Sequence, residues 1–273
     1  RLEAAVRQGE VWPGRPTGLL TLGGAYPSPT IRIPRGGTLS VRLGNRLSEP
    51  TNVHWHGLTA PAAMDGFPTD LVAPGASRDF AVPILERAGT YWYHPHPDGQ
   101  TARQVYQGMA GFVIVEDPAE GGLGLPTGDR DVPLLLQDRR SSPGGAITYA
   151  PTMMDLMSGY LGDVALVNGT PEAFLSVSAS FYRLRLLNGA NARVFRIGLS
   201  DGRAFHVIGS DGGLLDRPVS ATSADLGPGE RLEILVDFST MAVGSSVSLR
   251  SLPFRLFGGM GMGMMGGASQ GAE

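Results

Sequence analysis

The sequence predicts an all-β chain, and three observations carry that expectation. Short runs rich in branched and aromatic residues recur between turn signals. Several of these runs alternate polar with apolar residues, and amphipathic stretches of helical period are scarce. Glycine (40) and proline (21) punctuate the 273 residues, and short strands separated by such turns fit antiparallel sandwiches or barrels.

Taken in chain order, the runs at 30–33, 39–43, 78–82 and 112–115 read as strands of a first domain over residues 1–119. The stretch 116–130 is rich in glycine, proline and acidic residues, and its segment 120–130 reads as a linker. A new apolar run, Val132-Pro133-Leu134-Leu135-Leu136, opens a second domain over 131–255, with further strands at 182–186 and 232–236. The run Tyr182-Arg183-Leu184-Arg185-Leu186 alternates as a half-buried strand does. Residues 256–273 are low-complexity glycine and methionine, a composition of linkers, and imply that something follows.

Composition narrows the chemistry. Net charge is −3 with no long run of one sign, which does not suit a nucleic-acid partner. All 22 basic residues are arginine, read as a base-composition bias of the source genome. Cysteine is absent, so disulfides, thiolate nucleophiles and cysteine-ligated metals are excluded within this chain. No apolar run approaches the roughly 18–20 residues of a membrane span, and no secretory signal is present.

Four of the five histidines fall in two pairs, His54-Trp55-His56-Gly57 and Tyr93-His94-Pro95-His96. Side chains alternate faces along a strand, so each pair aims two imidazoles the same way. Two such strands side by side converge four imidazoles, a donor set suited to copper, zinc, iron or nickel and ill suited to calcium or magnesium. The bland alternative is a set of satisfied histidines near strand ends. The fifth, His206, stands alone in a strand-like run and reads as structural. Asp65, in Met64-Asp65-Gly66, is either a turn residue or a general acid–base. Asp98 is either a loop cap or an acceptor for a ligand imidazole. The cluster Met153-Met154-Asp155-Leu156-Met157 reads as packing.

The two histidine motifs, with Gly99-Gln100-Thr101 and Gly108-Met109-Ala110-Gly111 downstream, resemble the first domain of bacterial three-domain multicopper oxidases, the laccase and cuprous-oxidase group. Leu166-Val167-Asn168-Gly169, the run from Tyr182 to Asn188, and Gly227-Pro228-Gly229-Glu230-Arg231 resemble that family's second domain. The implied fold is two cupredoxin-like Greek-key β sandwiches in tandem. The resemblance implies that His54 binds a type 2 copper, that His56 and His94 share one copper of a type 3 pair, and that His96 binds the other. It also implies that Asp65 relays protons while dioxygen is reduced to water, and that the protein is exported to the periplasm or outside the cell.

The departures bear on function. The other four cluster histidines belong to a third cupredoxin domain, and the type 1 copper that accepts electrons needs a cysteine. The chain therefore reads as the first two domains of a larger oxidase of phenols or metal ions, with half a trinuclear site and no electron entry of its own. A methionine-rich tail offers soft thioethers to cuprous ion, or is simply a linker. The competing readings are a non-catalytic cupredoxin scaffold, as in copper-free relatives of cell division that have lost the paired histidines, and a copper-binding or storage protein.

Overall fold

The structure is a computed structural model, which describes residues 1–142 and 144–253. The glycine- and methionine-rich segment 256–273 lies outside the described residues.

Eight strands build the first sandwich: β1 (Leu2–Trp12), β2 (Arg15–Leu22), β3 (Ile31–Pro34), β4 (Thr38–Asn45), β5 (His54–His56), β6 (Ser77–Pro83), β7 (Gly89–His94) and β8 (Gly111–Glu116). They form two four-stranded sheets, ordered β2-β1-β4-β6 and β3-β8-β7-β5. The alternation read from the sequence fixes which faces meet. In β4, Leu39, Val41 and Leu43 are buried while Thr38, Ser40 and Arg42 are exposed. These leucines and valine pack with Trp55, Phe80, Val82, Tyr93, Val113 and Val115 in one core between the sheets. Strands β7 and β8 are buried along nearly their whole length, because their second face meets the other sandwich.

The second sandwich holds β9 (Asp131–Arg139), β10 (Val164–Val167), β11 (Phe181–Asn188), β12 (Phe195–Leu199), β13 (Phe205–Ser210), β14 (Gly213–Ala221), β15 (Ser223–Leu226), β16 (Arg231–Asp237) and β17 (Leu249–Ser251). Its sheets are ordered β10-β9-β11-β16-β13-β14 and β15-β12-β17, around a core that includes Leu184, Leu186, Phe195, Ile197, Phe205, Ile234 and Val236. The two described α-helices, α1 (Thr101–Tyr106) and α2 (Met153–Ser158), are one to two turns each. Among the described residues no helix is long and apolar enough to cross a membrane.

Two sequence expectations change. In β11 the arginine face is not solvated: Arg183 and Arg185 are buried, as is Glu233 of β16, which lies opposite Arg185. Their partners explain it. Arg183 Nη2 and Arg185 Nη1 donate to the Glu233 carboxylate at 2.5 and 2.9 Å, and Arg185 Nε donates to Asp131 at 2.6 Å. The network crosses between sandwiches, since Thr90 Oγ1 donates to Glu233 at 2.6 Å and Arg32 Nη1 to Asp131 at 3.2 Å. Buried charges persist when paired and hydrogen-bonded in this way. The second change is at α2, where Met153, Met154 and Met157 are not packed but 75%, 63% and 81% exposed. Polar anchors hold that helix instead: Thr152 and Asp155 form a reciprocal capping box, and Arg140 grips the Asp155 carboxylate.

The segment expected to link the domains folds as two 3-10 turns, Pro118–Leu123 and Gly128–Arg130. It is fastened at Glu120, which accepts from Arg183 Nη2 at 3.2 Å.

Candidate metal centre

Strand β5 pairs antiparallel with β7 in a register that sets His54 opposite His94 and His56 opposite Trp92. Trp55 turns the other way and is fully buried in the first core, so His54 and His56 share the outer face as period two requires. The second pair is only half in a strand. His94 ends β7, and Pro95 and His96 lie beyond it, since proline has no N–H to continue a ladder. His96 is placed by its backbone, whose N–H donates to Asn52 Oδ1 at 2.6 Å.

All four imidazoles gather. Ring centroids of His54 lie 5.7, 5.4 and 5.5 Å from those of His56, His94 and His96, and His94 lies 5.9 Å from His96. His54, His56 and His94 each bring one ring nitrogen to within 4.8 Å of the others. His96 stands beside this group with its Nδ1 buried and free of any hydrogen bond.

The hydrogen bonds set the donor chemistry. His54 Nδ1 lies 2.9 Å from the carbonyl of Asp65, and His94 Nδ1 lies 2.9 Å from the carbonyl of Pro95. A carbonyl only accepts, so each Nδ1 carries the hydrogen and each Nε2 keeps its lone pair. His94 Nε2 then faces His56 Nδ1 at 3.3 Å. That separation suits two ligands about 2.0–2.1 Å from one tetrahedrally coordinated ion. Burial pushes the His94 imidazole down to about 3. Burial, and then the charge of Arg231, pushes His56 down to about 4. Both are therefore neutral ligands at ordinary pH, and the donor set fits a borderline-soft metal such as copper.

Asp65 lies beside the cluster: its Oδ1 is 3.2 Å from His54 Nδ1, half-buried. Asp98 is exposed, its backbone N–H donates to Pro68, and its carboxylate reaches none of the four imidazoles. His206 sits exposed in β13, paired with Leu235 and Ser220 in the sheet, and takes no part.

Three residues of the site escaped sequence reasoning. Trp92 stacks beneath two imidazoles, 4.1 Å from His94 and 4.9 Å from His56 between centroids. Its signal was available, because residue i−2 from His94 shares its strand face. Asn52 joins the motifs, donating to the carbonyls of Gly66 and Phe67 while accepting from His96. Arg231 comes from the other sandwich, and no local pattern connects it to the histidines.

Two tandem cupredoxin sandwiches with a part-buried histidine cluster on the first define a copper-oxidase class of protein. Multicopper oxidase family models match residues 5–120 and 149–245. The chain belongs to the multicopper oxidase family, which implies copper binding. Among solved structures, the laccase-like multicopper oxidase CueO of an Ochrobactrum species superposes with a TM-score of 0.87 at 39% identity, covering 92% of this chain and 56% of its own. The McoA multicopper oxidase of Aquifex aeolicus gives 0.86 at 38%, covering 92% and 57%. Among curated proteins, the cell division protein FtsP of Xenorhabdus nematophila is 43% identical over 220 residues, 80% of this chain and 46% of that protein. The FtsP of Escherichia coli K12 is 38% identical over 239 residues, 87% and 50%. The chain thus spans about half the length of the curated relatives it matches.

Proposed function

We propose that this chain supplies four ligands, His54, His56, His94 and His96, to a trinuclear copper centre. The centre belongs to an oxidase that couples one-electron oxidation of phenols or metal ions to the reduction of dioxygen to water. The observation that supports this reading is the convergence of the His54, His56 and His94 ring nitrogens within 4.8 Å, with two of the three tautomers fixed by carbonyls. Copper, when bound, supplies the one-electron exchange with donor and dioxygen that no side chain here can supply. In this reading His54 serves the type 2 position, His56 and His94 together one type 3 position, and His96 the other. The Asp65 carboxylate, beside His54, holds and passes protons toward the reduced oxygen. The chain has no cysteine, so a type 1 site and four further histidines come from a third cupredoxin domain. Residues 1–119 and 131–255 are the two domains on this side of the centre, and the working compartment is periplasmic or extracellular.

A second reading is a non-catalytic scaffold, favoured by the 38–43% identity to proteins named for cell division. It gives the paired histidines no task. The two separate in the full-length protein on oxygen consumption with a phenolic donor or cuprous ion. The oxidase reading expects turnover that His94→Ala abolishes; turnover unchanged by His94→Ala would overturn it.

A further inference from the structure

We propose that Arg231, in the second sandwich, is a positioning residue for His56: it clamps the Gly229 turn onto the His56 ring and so fixes which nitrogen faces the metal. The inference rests on the copper reading of the paired histidines.

The guanidinium of Arg231 is buried and spends its donors on three segments. Nε donates to the carbonyl of Thr90 in β7 at 3.0 Å, Nη1 to the carbonyl of Gly229 at 3.0 Å, and Nη2 to the carbonyl of Asp211 at 3.2 Å. The Asp211 carboxylate lies 3.0 Å from Nη1 and accepts from the Arg231 backbone at 2.7 Å. One planar fork therefore ties the strand that carries His94 to two turns of the other sandwich, which a point-charge ammonium cannot do.

The clamped turn closes off the space beside His56. Gly229 has φ +82°, and a Cβ there would stand 3.3 Å from Cε1 of His56 and 3.7 Å from the Trp92 ring. The turn thus leaves less than a methyl group's room beside the His56 ring, which also lies 4.9 Å and 31° from the Trp92 indole. Arg231 itself fills the space beside the next residue: a Cβ on Gly57 would stand 2.6 Å from Nη2. His54 and His94 have their rings set by carbonyls. The ring of His56 bonds only to His94, through Nδ1, and packing is left to hold it in the orientation that turns Nδ1 inward. Residues behind metal ligands commonly do this by hydrogen bonding; here a residue of another sandwich does it by packing.

The test compares Arg231→Gln, Arg231→Lys and Gly229→Ala in the full-length protein with Tyr26→Phe. The last variant removes two bonds between the same sandwiches that touch none of the site residues: the Tyr26 hydroxyl donates to Gln137 at 3.1 Å and accepts from Arg139 at 3.3 Å. Cupric ion is titrated against a competing chelator, and the metal-free imidazole nitrogens are followed by long-range proton–nitrogen NMR. Both Arg231 variants are expected to weaken cupric binding about 10–100-fold and to shift the His56 nitrogens while leaving those of His54 in place. Tyr26→Phe is expected to change neither. Full affinity in Arg231→Lys reduces the role to charge, and an equal loss in Tyr26→Phe reduces it to general docking; either overturns the proposal. Should Arg231→Gln not fold, Gly229→Ala carries the same comparison. If the wild type takes up no copper, the copper reading fails, yet His56 nitrogens unmoved in the variants still refute the clamp and moved ones still uphold it.

Discussion

His56 and His94 are held neutral at a cost that pH exposes. Their folded values, about 4 and about 3, lie below the ordinary histidine value of about 6.5. Below pH 6.5 the unfolded chain binds protons that the folded one refuses, so stability falls with falling pH. The loss runs from about 6.5 down toward the folded values, and above 6.5 these two groups contribute no slope. Denaturant unfolding of the metal-free protein at about pH 5 and 7.5 is expected to show lower stability at pH 5, with a smaller difference in His94→Ala. An equal stability at both pH values would contradict the burial argument. Asp65 offers a separable check. Asp65→Asn in the full-length protein is expected to keep its copper and to lose about 10²–10⁴-fold in oxygen reduction; undiminished turnover would return Asp65 to the role of a turn residue. At this scale much was legible, because period two alone puts His54 with His56 and hides Trp55. Asn52 and Arg231 were not, because each acts through contacts between residues far apart in sequence, 44 residues from Asn52 to His96 and 141 from Arg231 to Thr90.

Strands β11 and β16 show where alternation misleads. A pattern of Arg-Leu-Arg-Leu identifies a strand and its apolar face, but it cannot tell whether the polar face meets water or another sandwich. Here it meets Thr90 of the first sandwich, and Glu233 sits at 0% exposure between two arginines. Removing the carboxylate leaves two buried guanidinium groups short of a partner, so Glu233→Ala is expected to cost about 3–5 kcal/mol in denaturant unfolding. A cost below about 1 kcal/mol would mean that the network is not a structural tie. Helix α2 misleads the opposite way. Methionine is most often buried, yet this helix is held by Thr152, Asp155 and Arg140. Met154→Gln is accordingly expected to change stability by no more than about 0.5 kcal/mol; a larger loss would show the methionines to be packed.

For the molecule as a whole, fold and function were legible to different depths. The turn-punctuated strands indicated antiparallel sandwiches or barrels, and it was the family resemblance of the histidine pairs and second-domain motifs that implied two cupredoxin sandwiches. The faces by which they meet join an apolar cluster, Trp92, Phe112 and Ile114 with Leu135 and Leu187, to buried charged groups that local pattern leaves ambiguous. Copper stoichiometry in the reconstituted full-length protein, determined by metal analysis after dialysis against a weak chelator, goes most directly to whether the histidine cluster is a working metal centre. Specific copper retained by the wild type and lost in His54→Ala and His94→Ala is the expected outcome. No retained copper, or retention indifferent to both substitutions, would contradict the oxidase reading and leave the scaffold.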